Sequence, residues 1–118
     1  EFAWRLRDHI RKTDILARIG GEEFAIMMPE TYPLEAKKRT ELLQQIINTT
    51  PFQIAGSTDG PLMITASFGI SCVADNDLVA DAPLIRADTA LYKASKIPSF
   101  FWSQIIPSVL VYKRCCFR

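Results

Sequence analysis

Asp14-Ile-Leu-Ala-Arg-Ile-Gly-Gly-Glu-Glu-Phe-Ala-Ile-Met-Met28 is the stretch that decides the fold. Ile15, Ala17 and Ile19 alternate with Leu16 and Arg18, the period of a β-strand. Gly20 and Gly21 break the alternation, and Phe24 to Met28 resumes as an apolar run that Pro29 ends. Two strands joined through Gly-Gly predict a β-hairpin, glycine accepting the positive φ that a tight hairpin turn demands.

On the N-terminal side, Trp4, Leu6 and Ile10 stand among five charged residues, and the four-residue spacing of Leu6 and Ile10 predicts the end of an amphipathic helix. On the C-terminal side, Thr31 offers a capping hydroxyl and Pro33 a ring whose φ is already helical. The helix they open carries Leu42, Leu43, Ile46 and Ile47 at helical spacing. Lys37, Lys38 and Arg39 lie opposite and read as a solvated face. Phe52 to Ala55, a turn in Gly56-Ser-Thr-Asp-Gly60 and Leu62 to Ala74 predict a second hairpin, whose later strand is rich in Ile, Thr, Phe and Val. After the loop Asp75-Asn-Asp77, Asp81 and Pro83 open a last helix with Leu84, Ala87, Leu91 and Ala94 on one face, stopped by Pro98. The alternation implies an α+β domain, a mainly antiparallel sheet with helices packed on one side.

Length and composition bound the function. The chain has 118 residues, 48% hydrophobic and 23% charged, which suits one domain. A net charge of +1 gives no broad field for nucleic acid, so no nucleic-acid partner is expected and any phosphate must be held locally. Cys72, Cys115 and Cys116 form neither a disulfide framework nor a zinc spacing, and the single His9 excludes a two-histidine site. A reducing, cytoplasmic setting is the expectation, with any membrane anchor in segments outside this chain. The only apolar candidate for a span, Ile97 to Tyr112, falls short of the ~20 residues a membrane helix needs. The sequence opens on Glu1 in mid-helix pattern without a signal peptide, and is expected to be part of something longer.

Chemistry points to Gly20-Gly21-Glu22-Glu23-Phe24. Two residues without side chains let a phosphate approach backbone N–H groups, and a carboxylate beside them can hold the magnesium that accompanies it. The five residues alone read better as a turn with two solvated glutamates.

Arg11-Lys-Thr-Asp14, five further residues and then Gly20-Gly-Glu-Glu-Phe24 resemble the signature of the GGDEF family, the diguanylate cyclases. The resemblance runs on through Pro29, Ser67-Phe-Gly69 and Ala87-Asp-Thr-Ala-Leu-Tyr92, covering about residues 3 to 96. It implies a nucleotide-cyclase-like palm and a homodimer in which two GTP molecules become cyclic di-GMP and pyrophosphate with Mg2+ or Mn2+, commonly under a sensory domain. Glu22 and Glu23 resemble the catalytic signature acids, Glu22 being the metal ligand, and Gly20 and Gly21 the backbone facing the substrate phosphates. Arg11 and Asp14 resemble the product-inhibition site, where a planar guanidinium fork suits phosphate oxygens and guanine. Taken alone, the pair reads as an exposed ion pair worth ~0–1 kcal/mol. A degenerate domain that only binds cyclic di-GMP through that Arg-x-x-Asp site is the alternative.

Three departures accompany the resemblance. The sequence begins after the family's opening strand and helix, so the opening strand is missing and the chain is expected to lack full activity alone. Ser95 and Ser99 stand where the family has a lysine and an arginine toward the triphosphate, with Lys96 one place on, and Leu42 where it has a second inhibitory arginine. From Ile97 nothing matches. Residues 1–96 therefore read as a partial domain and 97–118 as an unmatched tail. Because Pro98 and Pro107 each lack a backbone donor, the tail is not expected to complete the sheet, and Val109 to Tyr112 should be loosely attached.

Overall fold

The largest side chains wholly removed from solvent are Leu6, Ile26, Met28 and Ile47, and the elements that carry them set the architecture. The computed structural model describes residues 1–53, 55, 56, 58, 60–95 and 108–114, with 94, 95 and 108–114 given by their backbone. In chain order these form α1 (Phe2–Asp8), β1 (Ile15–Arg18), β2 (Glu23–Met27), α2 (Pro33–Thr49), β3 (Ser67–Val73), α3 (Ala82–Ser95) and β4 (Ser108–Arg114). The α+β class holds. The expected hairpin is the antiparallel pair β1–β2, Ile15 opposite Met27 and Arg18 opposite Phe24.

The turn of that hairpin works differently from the sequence argument. Neither Gly20 nor Gly21 takes a positive φ; among the described residues only Glu30, Gly56 and Gly60 do. The connection is four residues long, and the amides of Ile19 and Gly20 both donate to the Glu23 carbonyl, at 2.9 and 3.3 Å. A loop of that length reverses the chain without left-handed residues.

α2 begins at Pro33, whose fixed ring suits a first helical position. Thr31 does not cap it: its hydroxyl donates to the Pro29 carbonyl at 2.9 Å. The buried stripe of α2 is Ala36, Thr40, Leu43 and Ile47, while Leu42 is 56% exposed. Lys37 and Lys38 face solvent as expected, but Arg39 turns inward to Asp14. Among the described residues, the expected second hairpin shrinks to one antiparallel bridge, Phe52 with Leu62, and β3 starts only at Ser67. Gly56 and Gly60 of its turn lie in the left-handed region that glycine enters freely; Ser57 and Asp59 fall outside the described residues.

Helices cover both faces of the sheet, not one. Phe24 and Ile26 of β2 join Leu6, Ala36, Leu43, Ile47 and Phe52 on the α1–α2 side. Ala25, between them, packs with Ala87 and Leu91 of α3 on the other. An uninterrupted apolar run such as Phe24-Ala-Ile26 marks a strand buried on both sides, and each large side chain so removed from water contributes ~1.5–3 kcal/mol. At Gly69 of β3, α3 sits directly on the strand: a Cβ there would collide with the Ala87 carbonyl and come within 2.7 Å of the Leu91 nitrogen.

The tail corrects the sequence reading most. β4 does enter the sheet, in the order β1-β2-β4-β3, parallel to both neighbours, with Leu110 in register with Ala25 on one side and Gly69 on the other. Pro107 precedes the strand, so Ser108 to Arg114 loses no backbone donor, and Val-Leu-Val-Tyr is strong strand sequence. Pro98, Lys96 and Ser99, like Cys115 and Cys116, fall outside the described residues. No helix among the described residues is long and apolar enough to cross a membrane.

Candidate functional site

β1 carries a candidate site at each end. At its C-terminal end lies the Gly-Gly loop. Glu22 and Glu23 are exposed, as is Gly21, where an added Cβ would meet nothing within 4 Å. At Gly20 a Cβ would collide with the Glu23 carboxylate, which folds back over the loop. Arg18 closes the loop from the strand side: its Nε donates to the carbonyls of Gly20 and Gly21, at 3.2 and 3.1 Å.

The loop carries two exposed carboxylates, and among the described residues no three His, Cys, Asp or Glu side chains converge on one point. A magnesium ion surrounds itself with six oxygens and usually takes one or two carboxylates along with substrate phosphates. Two carboxylates fall short of that shell, and the described residues by themselves do not fit a complete divalent-cation site.

The N-terminal end of β1 departs from the expected exposed ion pair. The Asp14 side chain is fully buried and bonds the guanidinium of Arg39 on α2, whose side chain is 18% exposed. The same Asp14 oxygen, Oδ2, accepts the backbone N–H of Arg11 at 2.8 Å. Arg11 itself extends to the exposed Glu35. Asp14 and Arg11 are joined through the main chain, not through their charges. Leu42, in the place of a second arginine, brings no cation.

Three residues that the sequence reading passed over shape these sites: Arg18, Glu35 and Arg39. Arg39 carried a signal, since 36, 39, 40 and 43 share one helical face and its neighbours on that face are buried. Arg18 carried a weaker one, a cation two residues before a Gly-Gly turn. Glu35 gave none, because its partner is distant in sequence.

Comparison with known proteins agrees with the geometry. A family model described as "Diguanylate cyclase, GGDEF domain" matches residues 1–98. The response regulator PleD of Caulobacter vibrioides is 36% identical over 94 residues, covering 80% of this chain and 20% of that protein. The diguanylate cyclase DgcP of Pseudomonas aeruginosa is 38% identical over 94 residues, 80% of this chain and 13% of its own length. MucR of the same organism, a bifunctional diguanylate cyclase/cyclic di-GMP phosphodiesterase, is 33% identical over 94 residues, with 80% of this chain and 13% of that protein covered. The chain thus spans a fifth or less of each of these relatives. No solved structure matches it. With its hairpin signature in place and its matched residues running from the first helix to the end of α3, the chain belongs to the GGDEF domain family of diguanylate cyclases.

Proposed function

We propose that this chain is the signature-bearing part of a domain that condenses two molecules of GTP into cyclic di-GMP. In that reaction the 3′-hydroxyl oxygen of each GTP bonds to the α-phosphorus of the other. The bond from that phosphorus to the β-phosphate bridge breaks, the hydroxyl proton is lost to solvent, and pyrophosphate leaves twice. Two copies of the domain, one GTP on each, face one another, and a sensory domain in the parent sets their approach. Phosphoryl transfer of this kind depends on positioning and charge neutralisation more than on a protein nucleophile. The observation that carries the reading is the exposed loop Gly20–Glu23, open to solvent at Gly21 and flanked by two carboxylates.

Gly21 lets a phosphate reach the main chain, and Glu22 is the proposed ligand for Mg2+ or Mn2+, which neutralises phosphate charge when bound. Because the described residues do not complete a cation site, the chain alone is expected to be inactive. Arg11 is the proposed contact for the product cyclic di-GMP. Asp14, being buried, holds the main chain of that turn in place.

The test is incubation with GTP and magnesium followed by chromatography, for this chain and for the full-length parent. The reading expects cyclic di-GMP from the parent, none from the parent carrying Glu22→Ala, and none from the chain. A parent that makes no cyclic di-GMP yet binds it favours the receptor alternative through Arg11.

A further inference from the structure

We infer that Arg18 is a positioning residue of the Gly-Gly loop, holding two consecutive carbonyls so that the amides of Gly21 and Glu22 point the other way, together, toward an anion. The inference depends on the proposed reading of this loop as the backbone that meets GTP phosphates.

Arg18 ends β1, and its guanidinium donates to both the Gly20 and the Gly21 carbonyl. A peptide unit is planar, and in the trans form its C=O and N–H point in opposite directions. No peptide bond among the described residues is cis. The Gly20 carbonyl shares its plane with the Gly21 amide, and the Gly21 carbonyl shares its plane with the Glu22 amide. One planar cation on both carbonyls therefore sets the direction of both amides.

Those two amides are also the ones left over. Ile19 and Gly20 donate to the Glu23 carbonyl, whereas Gly21 and Glu22 donate to no acceptor among the described residues. Beside them lies the open space where a Cβ on Gly21 would meet nothing. Successive N–H groups pointing into one space form an anion-binding concavity. Arg18 strengthens it twice over. It withdraws two carbonyl dipoles that would repel a phosphate, and by polarising each peptide it makes the opposite N–H a better donor.

The test is 15N amide spectroscopy of the chain during titration with GTP in the presence of magnesium, for wild type, Arg18→Ala and Arg18→Lys. Wild type is expected to show shifts at the Gly21 and Glu22 amides. Arg18→Ala should bind about tenfold more weakly and lose those two shifts, with amide exchange at Leu16 and Ile26 unchanged. Lysine keeps the charge but lacks the fork that spans two carbonyls, so Arg18→Lys should remain weakened. Should the alanine variant open the hairpin, Arg18→Lys decides the matter. Wild-type affinity in Arg18→Lys makes Arg18 a charge and not a positioning group, and overturns the inference while leaving the loop reading intact. Unchanged binding and shifts in Arg18→Ala do the same. If GTP moves neither amide in the wild type, the phosphate reading of the loop falls and takes this inference with it.

Discussion

Asp14 and Arg39 meet inside the protein, the acid fully buried and the guanidinium largely so, and each leaves one atom, Asp14 Oδ1 and Arg39 Nη1, without a hydrogen-bond partner. The pair links the turn before β1 to α2. Removing one member of a buried pair strands the other's charge, which typically costs 3–5 kcal/mol. Arg39→Ala is expected to destabilise the fold by about 3 kcal/mol, because it strands the fully buried Asp14, and Asp14→Ala by less, because the stranded Arg39 side chain retains some solvent. The double variant should lose less than the sum. Urea unfolding measures all three, and strictly additive losses would mean that the two charges do not act as a pair.

Arg11 is engaged by Glu35 at the surface, where such a pair is worth about 0–1 kcal/mol. A ligand phosphate can therefore displace Glu35 at little cost. In calorimetric titration with cyclic di-GMP, Arg11→Ala is expected to weaken binding by roughly ten- to a hundredfold, one charge-assisted bond. Glu35→Gln, which removes the competitor, should tighten it by a few-fold. Equal affinity across the three proteins would remove Arg11 from the proposed product site.

At Gly69 the clash lies with the backbone of α3, which cannot move aside as a side-chain tip can. Gly69→Ala should push α3 off β3 and destabilise by about 1–3 kcal/mol, the usual range for an overpacked core. Thermal unfolding reads this directly, and an unchanged midpoint would contradict the close packing of helix on strand.

The Asp77 carboxyl is lowered from 3.8 to about 2, first by the side-chain hydrogen bond from Arg86 and then by the Ala74 amide. A carboxyl depressed in the folded state adds stability above its unfolded value, and that contribution disappears as the pH falls from about 4 through about 2. In carbon-detected NMR, Asp77 should titrate near 2 in the wild type and closer to 3.8 in Arg86→Ala. A wild-type midpoint already near 3.8 would show that the bond does not persist in solution.

The hairpin, α2 and α3 could be read from sequence because local spacing specifies them: alternation over Ile15–Ile19, a proline at the first turn of α2, and a helical stripe ending on Leu91. The Gly-Gly loop was legible as a place, but the reason for its glycines was not. Gly20 lies under the Glu23 carboxylate three residues on, and nothing in the turn itself reveals that. Asp14 was legible as a site residue but not as a buried one, because its partner Arg39 is separated from it by the whole of β1, β2 and the first turns of α2. β4 was misread for a related reason. Prolines outside the strand were counted against it, and its place between β2 and β3 is a long-range fact that no local pattern carries.

The last strand in the chain is an inner strand of the sheet. Until Ser108–Arg114 arrives, β1–β2 and β3–α3 are two half-structures without a shared ladder, and the other edge of β2 waits for a strand about 85 residues further along. Non-local pairings of this sort pay the entropy of loop closure before they gain contacts, and they slow folding. A ribosome delivers these residues well after β1, β2 and β3, so the sheet closes only once Ser108–Arg114 has emerged. The unjoined edges of β2 and β3 are exposed for all of that time, and they are where a newly made molecule is most open to aggregation or to capture by a chaperone.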